Sequence, residues 1–313
     1  MKQFHALRLV SPFTTCHQKQ HFLLVRVALC GKSSRYVVVR LIPQLDHSLH
    51  SYCEKHPFFA HPITRTLSLQ NNGPILRLDS IHKNFGGLAV LVDIDLTIDS
   101  CEIVGLIGPN GAGKSTLFNV ITSVYRPDEG DVYLNERRIT NLPPHVVCRH
   151  GISRTFQLVK VFLSMTAIEN VLVGAVYGRR EKGRNAEEIA MDCLDLVGLA
   201  EKKEVVTAHM TLSDRRLLEV ARALASNPDV ALLDEPMAGL NPSETMKMLQ
   251  VINRAREEKN LSILWVEHKV DAIFHLCDRV IVLDYGRKIA EGTPEEVASN
   301  SKVIEAYLGE SPA

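Results

Sequence analysis

The chain has 313 residues, 36 basic against 36 acidic, and is 45% hydrophobic and 23% charged. That length can bury one good core or two, and a formal net charge of zero gives no bulk attraction to nucleic acid or acidic lipid. The most apolar N-terminal stretch, residues 22–42, is interrupted by Arg26, Lys32, Arg35 and Arg40, which argues against a membrane span.

No signal-peptide pattern is read at the start, and the seven cysteines form no C-x-x-C pair, which fits a reducing compartment. Residues 1–74 hold seven of the 13 histidines, nine Lys or Arg and only two acids, Asp46 and Glu54. His50-x-x-Cys53-x-x-His56 has a spacing that metal ligands could use, but it fits no known zinc pattern. The expectation for residues 1–74 is a basic, His-rich extension that is disordered or precedes the true start of the protein.

From Ile75 the chain reads as strands alternating with amphipathic helices. Ile75–Leu78 and the apolar/acidic alternation Val92-Asp93-Ile94-Asp95-Leu96 are strands. The apolar run Ile103–Ile107 leads into Gly108-Pro109-Asn110-Gly111-Ala112-Gly113-Lys114-Ser115-Thr116, which fits G-x-x-x-x-G-K-[ST] and continues as a helix through Leu117-Phe118-Asn119-Val120. Strand, glycine loop and helix in this order make a P-loop, in which small residues let backbone N–H groups turn around a phosphate chain at a helix N-terminus. Lys114 belongs on the β- and γ-phosphates, and the Ser115 hydroxyl on Mg²⁺.

Residues 141–226 change character and read as mainly helical. Thr166-Ala167-Ile168-Glu169 fits a capping box, and Ile189, Met191, Leu194 and Leu196 mark a helix after Asn185. Strands return at Val230–Leu233, Leu261–Val266 and Val280–Leu283. The first ends in Asp234-Glu235, where one carboxylate can hold the Mg²⁺ shell and the next can take a proton from an attacking water. The fold class expected is α/β, with a mostly parallel core sheet and an inserted helical subdomain.

The two phosphate elements, the helical insertion between them and Val266-Glu267-His268 resemble the arrangement in ATP-binding cassette (ABC) ATPases, over about residues 75–310. Phe85-Gly86-Gly87-Leu88, Gly151-Ile152-Ser153-Arg154-Thr155-Phe156-Gln157, Ala238-Gly239-Leu240-Asn241-Pro242 and the C-terminal Ala306-Tyr307-Leu308-Gly309-Glu310 are similar to the ATP-binding subunits of branched-chain amino-acid importers. The resemblance implies a P-loop NTPase of the ABC type at residues 75–313, with an antiparallel N-terminal β-subdomain. It places Phe85 against adenine, although a core phenylalanine is an equal reading of the residue alone. It assigns Gln157 to the metal and His268 to the γ-phosphate.

Anchored on Leu218–Leu224, the signature segment falls at Met210-Thr211-Leu212-Ser213-Asp214, where the family has Leu-Ser-Gly-Gly-Gln. Thr211 keeps a hydroxyl for the γ-phosphate, while Ser213 stands in place of a glycine. Asp214 either adds a carboxylate beside an anionic substrate or favours the helix dipole while pointing away.

The family mechanism implies two such subunits closing around MgATP, Glu235 activating water, and release on hydrolysis, with Thr211 and Ser213 coming from the second copy. The implied partners are a second ATP-binding subunit, identical or paralogous, separate integral membrane permeases and, through them, a solute-binding protein, at the cytoplasmic face of the inner membrane. Residues 158–165 are a candidate permease groove, against the alternative that the subdomain's own core claims them. Urea, amide or other amino-acid import, a soluble ABC ATPase acting on nucleic acid or ribosomes, and a low-turnover ATP-binding regulator are the alternatives. A single cassette, zero net charge and no long coiled-coil insertion count against nucleic acid.

Overall fold

The computed structural model describes residues 21–28, 34–41, 73–179 and 184–308. The chain forms two compact units, residues 1–71 and 72–313. In the first, β1 (His21–Ala28) pairs antiparallel with β2 (Ser34–Leu41). The His50, Cys53, His56 constellation lies outside the described residues.

The second unit is built on two sheets. The antiparallel one consists of β3 (Leu76–Phe85), β4 (Leu88–Ile98), β6 (Glu129–Leu134) and β7 (Arg137–Arg138), in the order β4-β3-β6-β7. The larger sheet comprises β5 (Ile103–Ile107), β8 (Ile152–Arg154), β9 (Val230–Asp234), β10 (Ser262–Val266), β11 (Arg279–Asp284) and β12 (Arg287–Gly292), in the order β12-β11-β5-β10-β9-β8. All its pairings are parallel except β11 with β12.

Strands β5, β9 and β10 are buried at every position, as parallel strands covered on both faces must be. The period of two divides their side chains between two cores. Ile103, Ala231, Leu233, Ile263 and Trp265 face one, while Val104, Leu106, Val230, Leu232, Leu264 and Val266 face the other. The second core is closed by the inner face of the antiparallel sheet and by Leu117, Phe118, Val120 and Ile121 of α1 (Lys114–Ile121).

The first core receives the inserted helices α3 (Ala167–Tyr177), α4 (Ala186–Leu196) and α5 (Leu212–Ala225). Thr166 and Asn185 begin α3 and α4 with complete capping boxes, each side chain accepting from the backbone N–H three residues on. The remaining helices are α2 (Pro144–His150), α6 (Pro242–Lys259), α7 (Val270–Leu276), α8 (Pro294–Ala298) and α9 (Ser301–Leu308).

One feature departs from the reading of residues 141–226 as mainly helical. Ile152–Arg154 is an edge strand of the large sheet, paired with β9. A three-residue strand is too short to show a period, and its pairing lies almost 80 positions along the chain.

Candidate functional site

In the order β8-β9-β10-β5 four neighbouring strands run parallel, so their C-terminal ends open on one edge of the sheet. Those ends carry, in turn, Arg154 leading to Gln157, then Asp234 and Glu235, then Glu267 and His268, then the glycine loop. Ligands of open α/β sheets bind at such an edge. The edge also unites groups that are distant in sequence.

The loop is held by close backbone approach. Gly108 has φ +151°, and a Cβ there would lie 2.1 Å from the carbonyl oxygen of Leu283 on β11. Gly113 has φ +101°, and its Cβ would meet the Val90 carbonyl oxygen at 2.9 Å. Both demand glycine, by conformation and by space. The β11–β12 turn seals the loop from the side: the Gly286 N–H donates to the Ala112 carbonyl at 3.1 Å, and the Gly286 carbonyl accepts from Val92 N–H at 2.8 Å. Ser115 and Thr116 open α1, where free N–H groups face outward from the helix N-terminus.

Lys114 is buried, and its Nζ donates to the carbonyls of Gly108 at 2.6 Å and Pro109 at 3.0 Å. Burial lowers its pKa, and the negative charges of Glu235 and Asp234 oppose that shift only in part. The ammonium thus bonds with the loop's own oxygens while facing two carboxylates.

Glu235 is the hub of the opposite wall. Its backbone is left-handed, with φ 48°, and its N–H donates to the Val266 carbonyl at 2.9 Å, which locks the strand exit. Gln157 Nε2 lies 3.2 Å from both Glu235 carboxylate oxygens, and His268 Nε2 lies 3.1 Å from Oε1. Gln157, Glu235 and His268 therefore meet as one cluster.

Asp234 is buried beside them and pairs with Arg154, Nη2 to Oδ2 2.9 Å. The other arm of Arg154 donates to Asn119 Oδ1 of α1 at 2.5 Å, and the guanidinium lies over the rings of Phe118 and Phe156. In the sequence Arg154 stands only as one position of the Gly151–Gln157 resemblance and carries no role, because an isolated Arg after a short apolar run has no local signal of its own. Ser115, Gln157 and Asp234 offer a hydroxyl, an amide and a carboxylate, a set of hard oxygen donors suited to Mg²⁺.

Phe85 is 43% exposed and meets Tyr125 edge-on, ring centroids 5.2 Å apart. That exposure removes the core reading and leaves a solvent-facing aromatic pair. Lys83 reaches over the Phe85 ring, and its ion pair with Asp128 secures this corner.

The signature segment is capped on itself. The Thr211 hydroxyl accepts from the Asp214 N–H at 3.1 Å, beginning α5. The Asp214 carboxylate turns inward to Lys202, 2.7 Å away. Burial pushes its pKa up, but the Lys202 and Thr211 hydrogen bonds and the charges of Lys202 and Lys247 outweigh this and hold it below the usual carboxylate range. Of the two readings of Asp214, the helix-start residue pointing away is the observed one. Ser213 is partly exposed at the same terminus.

Farther along α5, Arg216 donates to the carbonyls of Phe156 at 3.2 Å and Gln157 at 2.7 Å, Glu219 accepts from Lys160 N–H at 3.1 Å, and Arg222 donates to the Lys160 carbonyl. Three residues spaced three apart grip the backbone of residues 156–160. Burial raises the pKa of Glu219, with the Lys160 amide and Arg222 opposing. Helix α5 and the Gln157 segment are one mechanical unit. Beyond Gln157, Leu158, Phe162 and Leu163 are exposed, while Val161 packs against the core.

A glycine loop on a helix N-terminus, facing paired carboxylates at the ends of parallel strands, defines a P-loop nucleotide-binding protein. Comparison with known proteins narrows the class. A family model described as ABC transporter matches residues 91–238, and one described as branched-chain amino acid ATP-binding cassette transporter matches residues 287–313. The chain is 39% identical over 253 residues to the high-affinity branched-chain amino acid transport ATP-binding protein LivG of Salmonella typhimurium, covering 76% of this chain and 99% of that one.

Among solved structures it is similar to an ATP-binding cassette of an ABC transporter in its ADP conformation (TM-score 0.68, 32% identity, 76% of this chain and 99% of the other). It is also similar to a dimeric ATP-binding cassette in a post-hydrolysis state bound to ADP and Pi (TM-score 0.62, 25% identity, 70% and 98%). The chain belongs to the ATP-binding cassette transporter family. Among the described residues, no helix is long and apolar enough to cross a membrane.

Proposed function

We propose that this chain is the ATP-binding and ATP-hydrolysing subunit of an importer for branched-chain amino acids, formed by residues 75–313. The observation that carries the hydrolytic reading is the Gln157–Glu235–His268 cluster at the strand edge facing the P-loop. The solute assignment is supported by the LivG relative and by the C-terminal family match over residues 287–313.

In this reading Gly108, Pro109, Asn110, Gly111, Ala112 and Gly113 wrap the phosphates, Lys114 leaves its loop carbonyls for the β- and γ-phosphates, and Phe85 with Tyr125 receives adenine. Ser115, Asp234 and Gln157 would hold Mg²⁺, which spreads the charge of the triphosphate when bound. Glu235 takes the proton of the attacking water while Gln157 and His268 orient its carboxylate. Thr211 and Ser213 of a second subunit complete the site, and binding favours closure by as much as ATP prefers the closed dimer. The exposed Leu158, Phe162 and Leu163, attached to Gln157 and gripped by α5, suit a cytoplasmic segment of a separate permease. The protein then works at the cytoplasmic membrane face, with a solute-binding protein acting through the permease.

The test compares ATP turnover of wild type and Glu235→Gln. A loss of about 100-fold or more with ATP binding retained is expected, as for removal of a general base. Equal rates would end the hydrolytic reading and leave an ATP-binding regulator.

A further inference from the structure

Glu267 is a carboxylate with 4% exposure immediately after the fully buried strand β10, and none of the roles above uses it. A buried carboxylate persists only where donors surround it. Its Oε1 accepts from the Met237 N–H at 2.9 Å, and its Oε2 accepts from the N–H groups of His268 at 3.1 Å and Lys269 at 3.4 Å. One side chain therefore bonds the backbone two residues beyond Glu235 and the backbone that carries the His268 ring.

Lys269 adds a second tie, its Nζ donating to the Leu240 carbonyl and to Thr245 Oγ1, each at 3.1 Å. Between the two ties, Gly239 lies against Leu212 at the start of α5: a Cβ on Gly239 would be 3.1 Å from Leu212 Cδ2. The segment 236–241 is thus bounded by Glu235 at one end and the Asn241 cap of α6 at the other, and rests against the residue next to Thr211.

We propose that Glu267 is a positioning residue for Glu235 and His268, with Lys269 as its auxiliary. The buried carboxylate fixes the distance between the two loops, so that the 3.1 Å Glu235–His268 contact is maintained by backbone and not by the exposed histidine side chain. The inference rests on the hydrolytic reading of Glu235, and a misplacement of the general base by a fraction of an ångström to 1 Å would reduce turnover by about 10- to 100-fold without changing nucleotide affinity.

The experiment uses the full chain, with Glu267→Gln, Glu267→Ala, Lys269→Met and Glu235→Gln beside wild type. It measures ATP turnover, equilibrium binding of a non-hydrolysable ATP analogue, and hydrogen exchange across the chain, including the peptides spanning residues 235–241 and 267–269. Glu267→Gln keeps one acceptor oxygen and the volume, so it folds even if Glu267→Ala does not.

The expected result for Glu267→Gln is a kcat lowered about 10-fold or more, analogue affinity within about twofold of wild type, and faster exchange confined to residues 235–241 and 267–269. Lys269→Met shows a smaller loss of the same kind. Unchanged exchange in Glu267→Gln overturns the tie. Faster exchange with unchanged kcat overturns the positioning role, as does a fall in analogue affinity that parallels the fall in kcat. Wild type and Glu235→Gln turning over equally would instead defeat the hydrolytic reading, while the exchange data still decide whether the tie exists.

Discussion

The P-loop half of the site and the signature end of α5 solve opposite problems. Around the P-loop the backbone is forced into place by contacts that admit no side chain, and the polar groups face inward at one another: Lys114 toward the charges of Asp234 and Glu235, and Glu235 bonded to Gln157 and His268. At α5 the hydroxyl and carboxylate that could meet a ligand are already engaged with their own helix terminus and with Lys202. One half is organised before nucleotide arrives. The other is occupied by its own helix start, and the Thr211 hydroxyl, which accepts there, keeps its O–H to offer.

The sharpest break in that contrast is Lys114→Ala, which removes the cation of the organised half. A fall of about 1,000-fold in kcat/KM for ATP is expected, the upper range for removal of one preorganised electrostatic donor, and steady-state kinetics with nucleotide titration check it. Gly108→Ala comes next. With its Cβ 2.1 Å from the Leu283 carbonyl oxygen, the substitution should cost about 3 kcal/mol of stability, read by denaturant unfolding, and abolish nucleotide binding in whatever remains folded.

Asp214→Asn probes the self-capped half. It should cost about 1 kcal/mol at neutral pH by weakening the Lys202 pair, with ATP affinity unchanged. Because the native carboxyl is held below its ordinary value, its stabilisation is fully present above the unfolded pKa and disappears as pH falls through the folded one. The gap between wild type and Asp214→Asn in unfolding free energy should therefore close below about pH 4. The smallest effect belongs to Ser213→Gly, which relieves the approach of a second copy and should raise turnover by no more than about threefold, since only one side chain at a partly exposed position is removed. A tenfold rise would mean that Ser213 is the main brake.

The division between what could and could not be read in advance follows range along the chain. The P-loop, the Asp234-Glu235 pair and the capping box at Thr166 are short-range patterns whose physics is complete within a few residues, and all were legible; the second box, at Asn185, is as local but was read only as the start of a helix. Arg154 joins Asn119 to Asp234, and Arg216 reaches Phe156 some 60 positions back. No local period announces such pairs. Glu267 is an intermediate case: a carboxylate directly after five buried positions is a recognisable oddity, but only the fold shows that Met237 supplies its donor. The orientation of Asp214 was open in the sequence because both readings place the same residue at the same helix start, and only Lys202, arriving from the preceding turn of chain, decides between them.

The turn at Gly286 has a consequence for how the protein can be shortened. Its amide and carbonyl join the phosphate loop to β4 from a position less than thirty residues before the C-terminus. Cutting the chain before Gly286 would leave the glycine loop and both carboxylates in the sequence yet remove the link that ties the loop to β4. The limits of the minimal nucleotide-binding fragment are thus set by a hairpin that carries none of the recognisable motif residues.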